Sequence, residues 1–161
     1  MVEYYRLNAG IVVFNKQRKI LLCKRNDVAD SWQFPQGGID EGETPKEAAF
    51  RELKEETSLT DVTWVTTLTE PARYRFPPEV IASMQKRGYH NVGQDMYWSL
   101  FYFDGDDSKI NLNTENPEFS EFCWSTLEEA YQLVVDFKKP AYQKACTEFQ
   151  PLINGYDTID N

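Results

Sequence analysis

A chain of 161 residues and 18.8 kDa is the size of one domain around a single core, and 41% hydrophobic with 14% aromatic residues supplies that core. No apolar run approaches the roughly 20 residues of a membrane-spanning helix. A net charge of −9 and a pI near 4.7 argue against duplex DNA or an anionic membrane as partner. The acid is uneven: residues 40–61 carry −5 and residues 104–161 carry −8, whereas residues 1–39 carry +3. The start, Met1 to Arg6, shows no basic-then-apolar leader, so a cytoplasmic protein is expected. Cys23, Cys123 and Cys146 lack the spacing of a zinc clip and read as reduced, structural thiols.

In chain order, residues 9–14 and 20–23 are apolar runs joined by a polar five-residue loop, which predicts a hairpin. A short strand at residues 32–34 stops at Pro35, and the glycine-rich stretch 36–43 reads as an irregular loop. Thr44-Pro45-Lys46-Glu47 combines an N-cap threonine, a proline at the first helical position and a capping-box glutamate, opening a helix to Thr57. Residues 62–68 and 97–103 read as strands, separated by a long connection over 69–96 with a short helix at 79–86. Ser125-Thr126-Leu127-Glu128 reads as a second capping box opening a helix to Val134, and Pro140 starts a third with Tyr142, Cys146 and Phe149 at helical spacing. The order β-β-β-α-β-β-α-α describes one mixed α/β domain over 1–153, with a polar tail over 154–161.

On the helix from Pro45, Glu52, Glu55 and Glu56 share an arc of about 100° around Ala48. Ala49, Leu53 and Phe50 form the adjoining apolar arc, so the acids border the buried contact rather than oppose it. Like charges at i,i+4, and acids near a helix C-terminus, each cost a few tenths of a kcal/mol. A solvated acidic face is the ordinary alternative; clustered carboxylates are also what a hard divalent cation needs.

These residues follow a spacing: Gly37, five residues, Glu43, seven residues, then Arg51-Glu52-Leu53-Lys54-Glu55-Glu56-Thr57-Ser58-Leu59. It resembles the Nudix box G-x5-E-x7-R-E-U-x-E-E-x-G-U, with Ser58 in place of the glycine that ends the helix in a left-handed turn. Further stretches, among them Tyr5 to Gly10, Trp32 to Ile39, Tyr74-Arg75-Phe76-Pro77, Gly93-Gln94, Pro117-Glu118-Phe119 and Val135 to Lys138, are similar to bacterial RNA pyrophosphohydrolases and plant-type asymmetrical diadenosine tetraphosphate hydrolases.

The resemblance implies an α/β; Nudix-type α/β/α sandwich with a mixed β-sheet. It implies that Glu52, Glu55 and Glu56 hold Mg²⁺, with Mn²⁺ able to substitute, assisted by a backbone carbonyl near Gly37 and by Glu118. Arg51 would hold the helix carboxylates and Glu43 in place, and Glu55 or Glu56 would take a proton from water. Arg6, Arg25, Gln33, Tyr74, Arg75, Gln94, Phe137 and Lys138 match substrate contacts: Arg25 and Phe137 as a sandwich for a base, Arg6 and Lys138 on phosphate. The expected substrate is the 5′-triphosphate end of RNA; the alternatives are a dinucleoside polyphosphate such as diadenosine tetraphosphate, or a catalytically silent nucleotide-binding domain. His90 is the lone histidine, which excludes a multi-histidine metal site.

Overall fold

The computed structural model describes residues 3–158. Strand β1 (Tyr5–Phe14) and strand β2 (Ile20–Arg25) form the expected hairpin, closed at Phe14 opposite Ile20. In its loop the Asn15 side-chain oxygen accepts the N–H groups of Gln17 and Lys19. β1 is the central strand. It pairs antiparallel with β4 (Gln36–Gly38) and in parallel, along its whole length, with β7 (Gly93–Tyr102). β2 carries β3 (Trp32–Gln33) and β8 (Phe119–Ser125), while β7 carries β5 (Thr63–Thr67) and β6 (Ala72–Arg75). Among the described residues the result is one mixed sheet of eight strands.

Alternation along the strands sends side chains to two cores. Ala9, Ile11 and Val13 of β1 join Leu21, Cys23, Phe101 and the residues Ala48, Ala49 and Leu53 of helix α1 (Pro45–Thr57). Val12 and Phe14 join Ile20, Leu22, Trp98 and the inner faces of α3 (Leu127–Leu133) and α4 (Lys139–Gly155). Helices on both faces of a mixed sheet give the α/β/α sandwich. On the α4 side Tyr142 is fully buried, stacks on Phe34 and accepts its backbone N–H at 2.9 Å.

The structure departs from the sequence reading where pairing is made by distant partners. Gln36–Gly38, expected as loop, is a strand against Asn8, Ala9 and Gly10. The aromatic strand starts at Gly93 rather than 97, and the long connection before it holds the unexpected β6 beside the expected helix, α2 (Pro78–Lys86). β8 was absent from the reading. The second cap belongs to Thr126, whose hydroxyl accepts the Glu129 N–H, and Ser125 instead donates to the Glu129 carboxylate. The expected tail from Asn154 begins inside α4; Tyr156 packs against Phe14 and Tyr102, and Arg18 donates to the Tyr156 carbonyl at 2.6 Å. Residues 159–161 of that tail lie outside the described residues.

All three signals at the N-terminus of α1 are realised: Pro45 opens the helix, Thr44 accepts the Glu47 N–H, and the Glu47 carboxylate accepts the Thr44 N–H. At its C-terminus Ser58 adopts the left-handed conformation of the missing glycine, φ 69° and ψ 2°, and its N–H reaches the Lys54 carbonyl. Its hydroxyl donates to the Asn111 carbonyl at 2.8 Å. A hydrogen bond of about 0.5–1.5 kcal/mol thus offsets a left-handed penalty of roughly 1–2 kcal/mol. Ser58→Gly is therefore expected to leave stability within about 1 kcal/mol of the wild type, whereas Ser58→Ala keeps the penalty and loses the bond, costing about 1 kcal/mol; urea unfolding of the two variants measures the difference.

Candidate active site

The acidic face of α1 is organised by one guanidinium. Arg51 donates to both carboxylate oxygens of Glu43 at 2.7 and 2.9 Å, to Glu52 at 2.8 Å, to Glu55 at 3.2 Å and to the Gly38 carbonyl at 2.8 Å. The loop glutamate, the helix acids and β4 are thereby tied into one frame. Arg51, beside Glu43, and the Asp40 N–H hold the Glu43 carboxyl down at about 2. Glu52 is mostly buried and its carboxyl is raised, first by desolvation, against the pull of Arg51. A side chain at Gly37 would occupy the place of the Glu52 carboxylate, so glycine here leaves that carboxylate its position against β4.

Glu56 differs in kind. It is 5% exposed, and neither of its carboxylate oxygens makes a hydrogen bond of ordinary geometry among the described residues, the Gln36 backbone N–H only weakly easing its burial. Desolvation, then the facing carboxylate of Glu118 and that of Glu52, push its carboxyl well above the ordinary range. Glu118 is delivered by the loop before β8, which Asn26 fastens: Asn26 donates its N–H to the Glu118 carbonyl at 3.0 Å and its side-chain amide to the Pro117 carbonyl at 2.8 Å.

Beside these acids opens a cleft of about 740 Å³, within the range of ligand sites. Gly37, Glu52 and Glu118 form one end, and Arg6, Arg25, Gln33, Tyr74, Gln94, Phe137 and Lys138 all line it. The register explains the floor: Arg6, Gln94 and Tyr74 are neighbours across β1, β7 and β6 on one face, and Gly38, Asn8 and Met96 form the next row. A polar chain crosses this floor. Tyr74 donates to Gln94, Gln36 donates to the same Gln94 oxygen at 3.3 Å, and Lys138 reaches Gln36 at 3.5 Å and Gln33 at 3.4 Å. Burial and nearby Arg25 pull the Lys138 ammonium down to about 8, so it is a sealed, half-tamed cation.

Three expected contacts are placed differently. Arg75 does not reach the cleft; it pairs with Glu3 at 2.6 Å and with the Tyr5 hydroxyl. Arg25 is bound through two nitrogens to Asp27 at 3.0 and 2.7 Å, while Phe137 packs on Tyr74 and Phe76, so the expected sandwich is not assembled. Glu55 and Arg51 stand behind the cleft rather than on its wall. Gln36, Asn26 and Asn8 join the cleft without having been expected there; Asn8 is 2% exposed on the floor with a side-chain oxygen that has no partner among the described residues. The position of Asn8 on the cleft floor follows from β-strand alternation with Arg6, a signal present in the sequence. His90 lies in the exposed segment after α2.

The model of the NUDIX domain matches residues 4–145. This chain belongs to the Nudix family. It is 41% identical over 157 residues to "RNA pyrophosphohydrolase" of Wolbachia pipientis subsp. Culex pipiens, covering 96% of each chain. It is 40% identical over 151 residues to "Nudix hydrolase 26, chloroplastic" of Arabidopsis thaliana, covering 91% of this chain and 70% of that one. Among solved structures, the fold is shared with a C. elegans Ap4A hydrolase complex, TM-score 0.63 at 21% identity over 92% of this chain and 99% of that one, and with the E. coli dihydroneopterin triphosphate pyrophosphohydrolase, TM-score 0.65 at 18% identity over 91% and 99%.

Nudix hydrolases use divalent cations, and the donors of this Nudix chain fit one. Buried oxygens of Glu56 without a hydrogen bond of ordinary geometry, opposed by Glu118 and Glu52, form an acceptor surplus that a hard cation relieves. Among the described residues no three such side chains are gathered around one point, and Glu52 and Glu55 both pair with Arg51. No helix among the described residues is long and apolar enough to cross a membrane.

The Glu43 pair gives a signed pH dependence. A carboxyl whose folded value is depressed to about 2 from 4.5 contributes stability that is complete above pH 4.5 and lost as the pH falls toward 2. The gap in unfolding free energy between wild type and Glu43→Gln, taken from urea titrations across this range, is expected to be constant above pH 4.5 and to narrow below it. A gap independent of pH would contradict the assignment.

Proposed function

We propose that this chain is a Mg²⁺-dependent cytoplasmic pyrophosphohydrolase that removes pyrophosphate from the 5′-triphosphate end of RNA. The observation that carries the reading is the buried Glu56 carboxyl facing Glu118, which with Glu52 lines a cleft that also presents Arg6, Arg25, Lys138 and the rings of Tyr74, Phe76 and Phe137. Support comes from relatives named RNA pyrophosphohydrolase that match this chain over nearly their whole length. A dinucleoside polyphosphate is the second reading, favoured by the fold shared with the Ap4A hydrolase.

Glu52, Glu56 and Glu118, with the Gly37 carbonyl, would hold the cation, which when bound supplies neutralisation of the polyphosphate and acidifies water. The chain's own groups divide the remaining work. Glu55 is suited to accept the proton: its carboxylate is 56% exposed and held by a single 3.2 Å contact to Arg51, so it can turn toward the cleft, whereas Glu56 is sealed. As Glu55 takes the proton, the water oxygen bonds to phosphorus and the bridging P–O bond breaks, leaving a 5′-monophosphate and pyrophosphate. Arg6 orients the phosphates from beside Gly38, and the Tyr74, Phe137 and Lys138 wall receives a base.

Glu55→Gln and Glu56→Gln are each expected to lower kcat by about 10²–10⁴-fold. Only Glu56→Gln is expected to abolish the rise in Tm on adding Mg²⁺; unchanged turnover in both variants would sink the mechanism. Comparing pyrophosphate release from 5′-triphosphate RNA with cleavage of diadenosine tetraphosphate separates the two substrate readings, a tenfold preference being about 1.4 kcal/mol of transition-state stabilisation.

A further inference from the structure

The facing acids of the site come from two separate segments, and their spacing depends on how those segments are tied. Glu56 belongs to α1, whereas Glu118 belongs to a stretch that runs from a tight 3-10 turn at Asp107–Lys109 to β8. Ile110 is buried and Leu112 half-buried in the core beneath α1, and Phe119 is buried in the same core. The residues between, 113–118, are exposed or half-buried and lie outside the strands.

Two side chains bracket this stretch. At one end the Asn111 N–H reaches the carbonyl of Thr57, the residue after Glu56, at 2.9 Å, and the Ser58 hydroxyl donates to the Asn111 carbonyl at 2.8 Å. At the other end β8 carries a bulge: Lys24 faces Glu121 while Arg25 faces Phe119, which leaves Ser120 as the extra residue. Past the bulge Asn26 takes up the chain, its backbone N–H donating to the Glu118 carbonyl at 3.0 Å and its side-chain amide to the Pro117 carbonyl at 2.8 Å. The bulge bends the strand end, and the Asn26 amide fixes the direction it takes.

Both side chains are exposed, so neither serves the two cores. A glycine at 58 would form the same left-handed turn with no hydroxyl for Asn111. What the two anchors hold is Glu118, whose carboxylate faces those of Glu56 and Glu52 at the acidic end of the cleft. Like charges stay close only where their backbones are fixed, since repulsion otherwise drives the mobile one into solvent.

We propose that Ser58 and Asn26 are positioning residues that hold the segment bearing Glu118 against α1, keeping Glu118 and Glu56 close enough to share one divalent cation. This rests on the reading above in which both glutamates hold that cation. The residue that departs from the Nudix box is then part of the frame of the site.

The test titrates Mg²⁺ without substrate and reads its affinity from the rise in Tm of the full chain, in Ser58→Gly, Asn26→Ala, Glu118→Gln and each anchor variant combined with Glu118→Gln. Glu118→Gln and Asn26→Ala are each expected to weaken Mg²⁺ binding about tenfold, and Ser58→Gly about threefold. With Glu118→Gln already present, neither anchor variant is expected to weaken it further. At saturating Mg²⁺ the KM of both anchor variants for 5′-triphosphate RNA is expected to stay at the wild-type value. Unchanged Mg²⁺ affinity in either anchor variant, an equal further loss on top of Glu118→Gln, or a raised KM would each overturn the proposal. If Glu118→Gln alone leaves Mg²⁺ affinity unchanged, the cation reading of Glu118 fails by itself. The anchors are then judged by amide hydrogen exchange in the metal-free protein, at residue 111 in Ser58→Gly and at residue 26 in Asn26→Ala. Exchange about threefold or more faster than in wild type, with the Ile11 and Leu53 amides unchanged, sustains them, and equal rates overturn them.

Discussion

The guanidinium of Arg51 is the interaction on which the site depends. Four acceptors from three segments meet on it: the loop acid Glu43, the helix acids Glu52 and Glu55, and the Gly38 carbonyl of β4. Without that cation the acids of α1 would repel one another, and Glu52 would stand desolvated against β4 with nothing to balance it. Because Arg51 is only 28% exposed, its bonds are little screened by solvent, and one planar group fixes the direction of several carboxylates at once.

Glu56 receives no such compensation. The fold keeps a carboxylate in its interior beside Glu118 with no hydrogen bond of ordinary geometry among the described residues, a costly arrangement that stability alone does not explain. The same tension recurs on the cleft floor, where the Asn8 side-chain oxygen is unpartnered and the Lys138 ammonium is held at about 8. The two cores around β1 are apolar, and Asn8 and Lys138 both line the cleft beside them. A rigid sandwich carries the strain that the site needs.

How much could be read in advance varied with the range of the interaction. Helix α1 was legible because its signals are local: the Thr44 cap, Pro45, and the angular spacing that sets Glu52, Glu55 and Glu56 beside the apolar arc. β4 was not, since Gln36-Gly37-Gly38 has no strand propensity and becomes a strand only by pairing with β1. The cap at Ser125 was displaced by one residue because Thr126 and Glu129 offer the same chemistry one step on, and the position of Ser125 at the end of β8 decides between them. Ser58 looked like a defect in the box, and Asn111, distant in sequence, supplies the bond that accommodates it.

The sequence by itself determined a mixed α/β domain and the acid cluster of α1, because these follow from strand and helix periodicity and capping chemistry, while the sandwich and the pairing of Arg51 with Glu43 were implied by the resemblance to the Nudix box. Tertiary structure decided which of those acids is buried, that Arg75 turns away to Glu3, that Arg25 is occupied by Asp27, and that α2 walls the cleft. The physical reason is that burial and orientation belong to pairs of surfaces. Glu56 is sealed in only once the Glu118 loop has folded against it, and no local pattern in α1 carries that information.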